Sequence, residues 1–361
     1  MTKNNLLALA ELGQSPWYDN IDRRLIQSGD FRKLLDKGVT GVTSNPSIFE
    51  KAIKGSAVYN KTIEELVKKG RSPEEIYDVV TVQDVQIAAD FLRETYERTQ
   101  GLDGYVSLEV LPRYAQDPEK TIENARRLSQ EVGRKNLMIK VPGTVEGAEA
   151  IRVLTADGIN INVTLLFSMA QYERSAKAYM EGLRDRLRKG KPLDQVCSVA
   201  SLFVSRVDTV TDKQLQELHE QDLQGKIAVA NAKMIYQRFK EWFTGEHFSE
   251  LASEGARIQR VLWGSTSTKN PDYYDLKYVD ELIGKETINT LPHNTLLAFL
   301  DHGNPRLTLE EDLDKERGYL EKLKGFGIDL NQNCEVLQQQ GVQAFSDSFN
   351  QLIDAIVAKT R

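Results

Sequence analysis

Short apolar runs alternate with longer amphipathic stretches along nearly the whole chain. In the longer stretches apolar residues recur at helical spacing, as Ile122, Ala125, Leu128 and Val132 do, so these stretches are predicted to be helices. The short runs are rich in β-branched residues and predict eight strands. They lie at residues 16–19, 39–43, 105–110, 137–141, 159–165, 199–204, 260–264 and 287–291. Alternation of this kind is typical of βα units around a parallel sheet.

The number and spacing of the strands favour a closed (β/α)8 barrel, the TIM-barrel fold of the α/β class, over an open doubly wound sheet. Additional helices are expected in the long insert at residues 48–99. Beyond Pro305 the pattern is helical again, so residues 305–361 are predicted to form a helical C-terminal extension packed on the barrel. The whole chain, residues 1–361, is then expected to be a single domain. Two capping boxes are predicted to begin helices, Ser168 with Gln171 and Thr308 with Glu311.

Composition narrows the classes of function. The 361 residues are 40% hydrophobic and 28% charged, and a net charge of -6 argues against a nucleic-acid or anionic-membrane partner. With only Cys197 and Cys334 present, neither a disulfide framework nor a cysteine metal site is implied, and a reducing, cytoplasmic location is expected. The histidines lack paired-ligand spacing, and neither a G-x-G-x-x-G nor a Walker pattern occurs, so no metal or nucleotide cofactor is predicted. No apolar run is long enough to span a bilayer.

The most informative position in the apolar pattern is Lys140, within the fourth predicted strand. Its neighbours Leu137, Met138, Ile139 and Val141 are suited to burial, so the lysine needs an explanation. Burial disfavours a charged ammonium and makes the neutral amine accessible, and this amine is a nucleophile able to condense with a ketone. For a lysine considered alone, a strand-end position that reaches water or pairs with a carboxylate is the simpler interpretation.

Polar residues recur at corresponding places, within or at the carboxyl ends of other predicted strands. They are Asp19, Asn45, Glu109, Asn162, Thr164 and Ser201. In a barrel these side chains converge on the C-terminal face, where active sites of this fold lie. One buried polar residue is usually structural, but several from different strands are difficult to satisfy in a core and easy to satisfy around a pocket.

An amine nucleophile requires particular partners. Imine formation needs protons to be moved as the carbinolamine loses water, and Glu109 suits that task. Carbon–carbon cleavage then needs a base for the hydroxyl of the adjacent carbon, for which we select Asp19. A polyhydroxylated substrate is oriented by neutral donors and acceptors, for which the candidates are Asn45, Asn162, Thr164 and Ser201.

Two cations follow the sixth and seventh predicted strands, in loops where barrels often bind phosphate. Arg206 follows the sixth strand, and Lys269 follows the hydroxyl-rich residues 265–268. Each alone is typical of a solvated surface charge. Phe203 is core by default, and only its closeness to Ser201 in the sequence makes it a candidate pocket wall.

Several segments together resemble the transaldolase family, and in particular its longer bacterial branch. They read GVTSNPSIF at 41–49, VSLEV at 106–110, MIKVP at 138–142, INVTLLFS at 161–168, SLFVSR at 201–206, GSTSTKNP at 264–271 and TINTLP at 287–292. The resemblance extends over nearly the whole chain and implies a metal-free, cofactor-free (β/α)8 barrel of class I aldolase type.

The resemblance also implies the reaction, which moves a dihydroxyacetone unit from sedoheptulose 7-phosphate to glyceraldehyde 3-phosphate in the pentose phosphate pathway. The products are erythrose 4-phosphate and fructose 6-phosphate. By position Lys140 matches the family's Schiff-base lysine. The other matches are Asp19, Glu109 and Thr164 for proton transfer and the catalytic water, Asn45, Asn162 and Ser201 for dihydroxyacetone, and Arg206, Ser267 and Lys269 for phosphate. A homodimer is the assembly we consider.

Two positions qualify the resemblance. Many members have arginine where Lys269 falls, so a point charge here replaces a bidentate fork. Related fructose 6-phosphate aldolases are expected to have tyrosine where Phe203 falls, and an apolar ring cannot help to protonate the bound enamine, which favours transfer over release of dihydroxyacetone. Two other functions stay open: a fructose 6-phosphate aldolase-like class I aldolase, and a barrel that binds sugar phosphates without catalysis.

Overall fold

In the computed structural model, which describes residues 4–359, eight parallel strands close into a barrel in chain order. The strands are β1 Gln14–Tyr18, β2 Gly41–Val42, β3 Val106–Glu109, β4 Leu137–Pro142, β5 Ile161–Leu166, β6 Ser198–Phe203, β7 Gln259–Gly264 and β8 Thr287–Leu291. β8 pairs with β1 and thereby closes the sheet. The predicted (β/α)8 barrel is confirmed, and the open sheet is excluded.

Within the described residues the strands alternate with α-helices, as the apolar pattern predicts. The helices are α1 Asn5–Glu11, α2 Arg23–Gln27, α3 Asp30–Asp36, α4 Pro46–Lys54, α5 Asn60–Lys68, α6 Pro73–Arg98, α7 Pro118–Val132, α8 Val145–Asp157, α9 Met169–Arg188, α10 Ser205–Glu217, α11 Ile227–Phe243, α12 Glu246–Ser253, α13 Lys277–Asp280, α14 His293–His302, α15 Leu313–Gly325 and α16 Leu330–Lys359. The predicted insert forms α4, α5 and α6, and Ser168 caps α9 with the predicted box. None of these helices is long and apolar enough to cross a membrane.

Two apolar clusters support the barrel. Because side chains alternate along a strand, Met138 and Lys140 point to one face of the sheet, and Ile139 and Val141 point to the other. Ile139 and Val141 belong to the large cluster that joins strands to helices. Met138 belongs to a separate cluster of Trp17, Tyr105, Met138, Cys197, Val199, Leu262 and Ile288. Lys140 therefore faces the inside of the barrel, next to an apolar plug.

The second strand is shorter than predicted, since only Gly41–Val42 join the ladder where the pattern predicts residues 39–43. Beyond the strand, the Ser44 carbonyl accepts a hydrogen bond from the Lys140 ammonium at 2.8 Å. A glycine is required at position 41, because a Cβ there would stand 2.5 Å from the Trp17 ring.

The C-terminal extension packs on the barrel as two helices. α15 lies against α11, where Lys233 Nζ stands 3.4 Å from a carboxylate oxygen of Glu316 and both side chains are buried. α16 packs against α4 and against the end of β5. The predicted capping box at Thr308 is wrong, because α15 begins at Leu313 and the Thr308 hydroxyl instead donates to the Asp280 carbonyl at 2.7 Å.

Candidate active site

Three adjacent strands place three polar side chains side by side on the inner face of the barrel. Glu109 of β3 is in register with Lys140 of β4, and Lys140 is in register with Asn162 of β5. Neighbouring strands lie about 4.8 Å apart, so side chains in register on one face stand within reach of each other. The surroundings of Lys140 thus arise from sheet register and not from a loop.

The Lys140 ammonium is held at two points. Its Nζ donates to the Ser44 carbonyl at 2.8 Å and lies 3.4 Å from Glu109 Oε2. Lys140 is only 5% exposed, and the centroid of the Phe345 ring lies 5.7 Å from Nζ. A buried amine beside a carboxyl group that can move protons is the arrangement that amine catalysis requires.

A cavity of about 410 Å³ opens at the carboxyl ends of the strands and contains Lys140 in its wall. Every predicted site residue lines this cavity except Glu109, and the lining set is Asp19, Asn45, Lys140, Asn162, Thr164, Ser201, Phe203, Arg206, Ser267 and Lys269. Glu109 is 4% exposed and lies 3.4 Å from the Lys140 nitrogen. The structure therefore brings the ten residues together and places the eleventh next to the amine.

Glu109 is a buried carboxyl group that lies beside one cation, the Lys140 ammonium. Its Oε2 makes no hydrogen bond with any residue of the described chain. Burial raises the pKa of Glu109, while the Lys140 ammonium opposes the rise. A carboxyl group with a raised pKa is suited to give and take protons in one reaction cycle.

Asp19 directly follows β1 and faces the same cavity. Its Oδ1 accepts a hydrogen bond from the Thr43 hydroxyl at 2.7 Å, and the Thr43 and Thr290 hydroxyl oxygens lie 2.6 Å apart. Burial raises the pKa of Asp19, and the Thr43 hydrogen bond and the Lys140 charge offset part of that rise. Asp19 is thus a second carboxyl group whose basicity is increased by its surroundings.

Neutral polar groups line the wall between the charged ones. The Asn162 amide donates to the Ser107 hydroxyl at 3.1 Å and accepts from the Ser201 hydroxyl at 2.6 Å. Thr164 is fully buried, and its hydroxyl makes no hydrogen bond within residues 4–359. A buried hydroxyl without a partner is unfavourable, so one that lines a polar cavity is suited to bind a ligand or a water.

Asn45 joins the site to a helix start. Its side-chain oxygen accepts from the Ile48 N–H at 3.0 Å and from the Ser47 hydroxyl at 2.7 Å, and Pro46 occupies the first turn of α4. The cap therefore uses the oxygen of the amide. Its NH2 group is left to donate toward the cavity.

Cations gather at one end of the cavity. Lys269 Nζ donates to the Ser267 hydroxyl at 2.8 Å, and the Arg206 guanidinium lies 5.8 Å from the centroid of the Phe203 ring. Partial desolvation lowers the pKa of Lys269, and the charges of Arg206 and Lys51 lower it further. Burial alone lowers the pKa of Arg206. Positive groups that repel each other around one recess form a site for an anion.

Lys51 and Phe345 line the cavity, yet the sequence analysis did not identify them. Lys51 lies on α4 and has no acidic residue three or four positions away, whereas Lys54 is paired with Glu50 at 2.7 Å. The absence of an acidic partner on its own helix is the sequence signal that could have identified Lys51. Phe345 belongs to the apolar stripe of α16, and nothing in the stripe distinguishes it from core residues.

The chemistry available to the site is covalent and acid–base. An amine can add to a ketone, two carboxyl groups can transfer protons, and a cationic recess can bind a phosphate. No group of three His, Cys, Asp or Glu side chains able to hold a metal ion occurs in the part of the chain that the structure describes. The two cysteines are buried free thiols outside the cavity.

Comparison with known proteins gives one family over nearly the whole chain. The family model described as Transaldolase/Fructose-6-phosphate aldolase matches residues 16–356. A transaldolase from Trichodesmium erythraeum is 43% identical over 100% of this chain and 99% of its own length. Transaldolases from Thiobacillus denitrificans and Neisseria gonorrhoeae are 46% and 43% identical, each over 96% of this chain and over 98% and 97% of their own lengths.

Proposed function

The chain belongs to the transaldolase/fructose-6-phosphate aldolase family, and we propose that it works as a transaldolase whose Lys140 forms a Schiff base with a ketose phosphate. The predicted activity is confirmed at the level of the family and of relatives matched over their full length, and the family implies sugar-phosphate substrates. The residue roles that follow are proposals. The observation that supports them best is a buried ammonium in a cavity of about 410 Å³, between the Ser44 carbonyl and the Glu109 carboxyl group.

Imine formation begins with the neutral amine of Lys140. The nitrogen adds to the ketone carbon, the carbonyl oxygen takes a proton, and the carbinolamine then loses water to give the iminium. Glu109 lies 3.4 Å from the nitrogen and supplies or removes the proton at each step. The free hydroxyl of Thr164 holds the water through which the proton travels, which explains why this hydroxyl has no protein partner.

Carbon–carbon cleavage uses the iminium as the electron acceptor. Asp19 removes the proton of the hydroxyl on the carbon beyond the bond that breaks, and the electron pair of that bond moves into the iminium to form an enamine. An aldehyde leaves, and a second aldehyde enters and is attacked by the same enamine in the reverse sequence. Asn45 and the Asn162–Ser201 pair orient the hydroxyl groups of the three-carbon unit.

The cationic end of the cavity binds the phosphate of donor and acceptor. Arg206, Ser267 and Lys269 supply the contacts expected from the sequence, and Lys51 adds a further positive charge. Phe203 forms an apolar wall beside Arg206. Lysine at position 269 cannot bind phosphate with the bidentate geometry of arginine. The extra positive charge of Lys51 compensates for the weaker contact.

We also propose the substrates, the domain organisation, the cellular location and the assembly. The donors are sedoheptulose 7-phosphate and fructose 6-phosphate, and the acceptors are glyceraldehyde 3-phosphate and erythrose 4-phosphate. The chain is one domain with residues 305–361 as its extension, it acts in the cytoplasm as a homodimer, and it requires no cofactor. Two buried free cysteines support a reducing compartment.

Borohydride reduction in the presence of fructose 6-phosphate tests the proposal. It should attach a three-carbon or six-carbon adduct to Lys140 that peptide mass mapping detects, and Lys140→Ala should abolish both adduct and turnover. Lys135→Ala removes an exposed lysine five residues earlier and should change neither. An adduct elsewhere, or turnover by Lys140→Ala, would refute the Schiff base at this residue.

The same assay separates the alternative functions. Rapid release of free dihydroxyacetone without an acceptor aldehyde would identify a simple aldolase. A wild-type protein that binds sugar phosphates but traps no adduct and turns over no substrate would be a non-catalytic barrel. The apolar Phe203 ring offers no proton to the enamine, and we expect transfer to dominate.

A further inference from the structure

One side chain of the C-terminal helix is hydrogen-bonded to the backbone of two barrel strands. The Gln338 Nε2 group donates to the Leu165 carbonyl at 2.8 Å and to the Gly143 carbonyl at 3.1 Å. Gln338 is 4% exposed, so these hydrogen bonds are made away from bulk water. The amide of α16 thus bridges the carboxyl ends of β4 and β5.

The bridge falls where the regular ladder is interrupted. The pairing of β5 with β6 shifts register between Val163 and Leu166, so Thr164 and Leu165 have no ladder partner on that side. Leu165 also has a φ of 60°, in the left-handed region that non-glycine residues rarely occupy. Such a backbone persists only when its surroundings hold it.

The β4 side supplies a second backbone restraint near this point. The Gly143 N–H donates to the Thr164 carbonyl at 2.8 Å, and Gln338 binds the carbonyls of Gly143 and Leu165, on both sides of that bond. Gly341, one turn further along α16, packs so closely that a Cβ there would lie 2.7 Å from Leu165 Cδ2. α16 therefore fixes both the carbonyl and the side chain of Leu165.

What the bridge fixes is the direction of Thr164. The Thr164 hydroxyl lines the cavity and makes no hydrogen bond within residues 4–359, so no hydrogen bond to that part of the chain sets its direction. Movement of the Leu165 peptide would move that hydroxyl directly. A displacement of about 1 Å in a catalytic group can lower a rate by about 100-fold.

We propose that Gln338 is a positioning residue, which holds the strained Leu165 peptide so that the Thr164 hydroxyl points at the water used in imine formation and hydrolysis. The inference rests on the proposed function of Thr164. It gives α16 a part in the reaction itself, in addition to the packing of Phe345 beside Lys140.

Gln338→Met tests the proposal, because methionine keeps the length and bulk of glutamine but cannot donate. We expect kcat to fall about 10-fold or more, with the KM for fructose 6-phosphate changed less than about twofold, since the phosphate contacts are untouched. Gln338→Leu, which also lacks a donor, should give the same division and serves if the methionine variant folds poorly. Gln343→Met changes an exposed glutamine of the same helix, bonded only to Asp347, and should leave both constants unchanged.

A double-mutant cycle with Thr164→Val distinguishes positioning from a general structural effect. If Gln338 acts through Thr164, Gln338→Met should lower kcat in the wild-type background and have no further effect when Thr164 is valine. In each single variant, the rate at which the borohydride-trapped adduct forms should fall by the same factor as kcat. Melting temperatures of the four proteins show whether they are folded at the assay temperature.

Independent losses in the cycle, or a Gln338→Met enzyme with unchanged kcat, would overturn the inference while leaving the transaldolase proposal intact. A rise in KM with kcat unchanged would also overturn it, because it would place Gln338 in substrate binding. Failure of the proposed function looks different, since the wild-type protein itself would then trap no adduct at Lys140.

Discussion

Ser44 contributes to the site through its backbone carbonyl and not through its side chain. The Ser44 carbonyl accepts a hydrogen bond from the Lys140 side-chain nitrogen at 2.8 Å. A substrate ketone that adds to the nitrogen must displace this bond. In the proposed reaction this carbonyl positions the amine, and its hydrogen bond is replaced when the Schiff base forms.

The second residue-scale feature is the hydrogen bond that the Thr43 hydroxyl donates to Asp19. The variant Thr43→Val tests its effect on the pKa of Asp19. Burial raises the pKa of Asp19, and this hydrogen bond to the ionised carboxylate lowers it. Asp19 acts as a base only when deprotonated, so turnover declines as pH falls through its raised pKa. Loss of the Thr43 hydroxyl should raise the pKa further, and the acid limb of the kcat–pH profile should move to higher pH.

The comparison for that experiment is Thr40→Val, whose hydroxyl donates to the Pro16 carbonyl and does not reach Asp19. Its acid limb should coincide with that of the wild type. If Thr43→Val leaves the limb in place, another group is the base for cleavage.

The charge of Lys51 leads to a prediction about substrate choice. Lys51→Gln should raise the KM for fructose 6-phosphate about fivefold, which corresponds to about 1 kcal/mol for one partly solvated ionic contact, with kcat nearly unchanged. The effect should shrink at high salt, because exposed charges are screened. Steady-state kinetics at two ionic strengths, with a phosphorylated and an unphosphorylated donor, measure it.

Lys54→Gln is the matched control, since Lys54 lies one turn away on α4 and is paired with Glu50. Its kinetics should equal those of the wild type. An equal rise in KM for the unphosphorylated donor in Lys51→Gln would show that Lys51 does not contact phosphate.

Site residues could be predicted from the sequence where a polar side chain interrupts an apolar strand pattern. Residues whose role depends on a backbone group or on a distant partner could not be predicted. Lys140, Glu109 and Asn162 are polar groups inside strands, so burial alone made them conspicuous. Ser44 contributes a carbonyl, which every residue has. Gln338 looks like any polar position on a helix, because its significance depends on a strand that lies 173 residues earlier in the chain.

At the scale of elements, the capping signals show where local reasoning succeeds. Ser168 and Gln171 form the predicted box at α9 because both hydrogen bonds are local. Thr308 has the same pattern with Glu311 but donates to Asp280, a residue of another helix, and Glu311 pairs with Arg306. Tertiary partners compete for the same groups, and sequence spacing does not reveal them.

A third box, between Ser72 and Glu75 at the start of α6, gives a prediction on stability. The Ser72 hydroxyl accepts from the Glu75 N–H at 3.3 Å, and the Glu75 carboxylate accepts from the Ser72 N–H at 2.8 Å. Ser72→Ala should lower the free energy of unfolding by about 1 kcal/mol, because the Glu75 N–H loses the hydroxyl that accepts its hydrogen bond. Urea denaturation followed by circular dichroism measures the change.

Ser249→Ala is the reference for that measurement. Ser249 is an exposed serine inside α12 whose hydroxyl only donates back to the Glu246 carbonyl. Its replacement should leave stability unchanged or raise it slightly, because alanine is the better helix former. Equal losses in both variants would mean that the box contributes nothing beyond serine itself.

For the whole molecule, the dependence of stability on pH should show the buried carboxyl group of Asp208. It accepts hydrogen bonds from the Ala228 N–H at 2.7 Å and the Tyr278 hydroxyl at 2.8 Å, and it thereby joins α10, α11 and α13. Burial, with Asp212 as the next contribution, raises the pKa of Asp208 to about 7. The folded protein therefore keeps this proton to a higher pH than the unfolded chain, whose aspartates titrate near pH 4.

The sign of the effect follows from proton binding. Between about pH 4 and pH 7 the folded state binds the extra proton, so the contribution of Asp208 to stability is complete below that window and is lost as pH rises through it, by at most about 1.4 kcal/mol per pH unit. Asp208→Asn should flatten the decline in unfolding free energy between pH 5 and pH 7. Asp314→Asn, at a side chain that is 99% exposed, should retain the wild-type slope.

Denaturation midpoints at several pH values, compared as slopes and not as absolute stabilities, measure the Asp208 effect. Loss of hydrogen bonds in the asparagine variant lowers the whole curve but does not tilt it. A slope equal to that of the wild type would show that Asp208 is already ionised in the folded protein near neutral pH.

Because β2 has only two residues, the strands of the barrel are not equally well paired. β2 shares two register pairs with β1 and one with β3, whereas β4 shares four with each of its neighbours. Local opening of a folded protein begins where the fewest bonds must break, so we expect the seam beside β2 to open more readily than the strands around β4. Asp19 and Asn45 follow the two strands of that seam, β1 and β2, and Lys140 lies two strands from β2 on the better-paired β4. The proposed Schiff-base lysine is thus carried by a well-paired strand, while the proposed base Asp19 and the proposed substrate ligand Asn45 adjoin the strand with the fewest pairs.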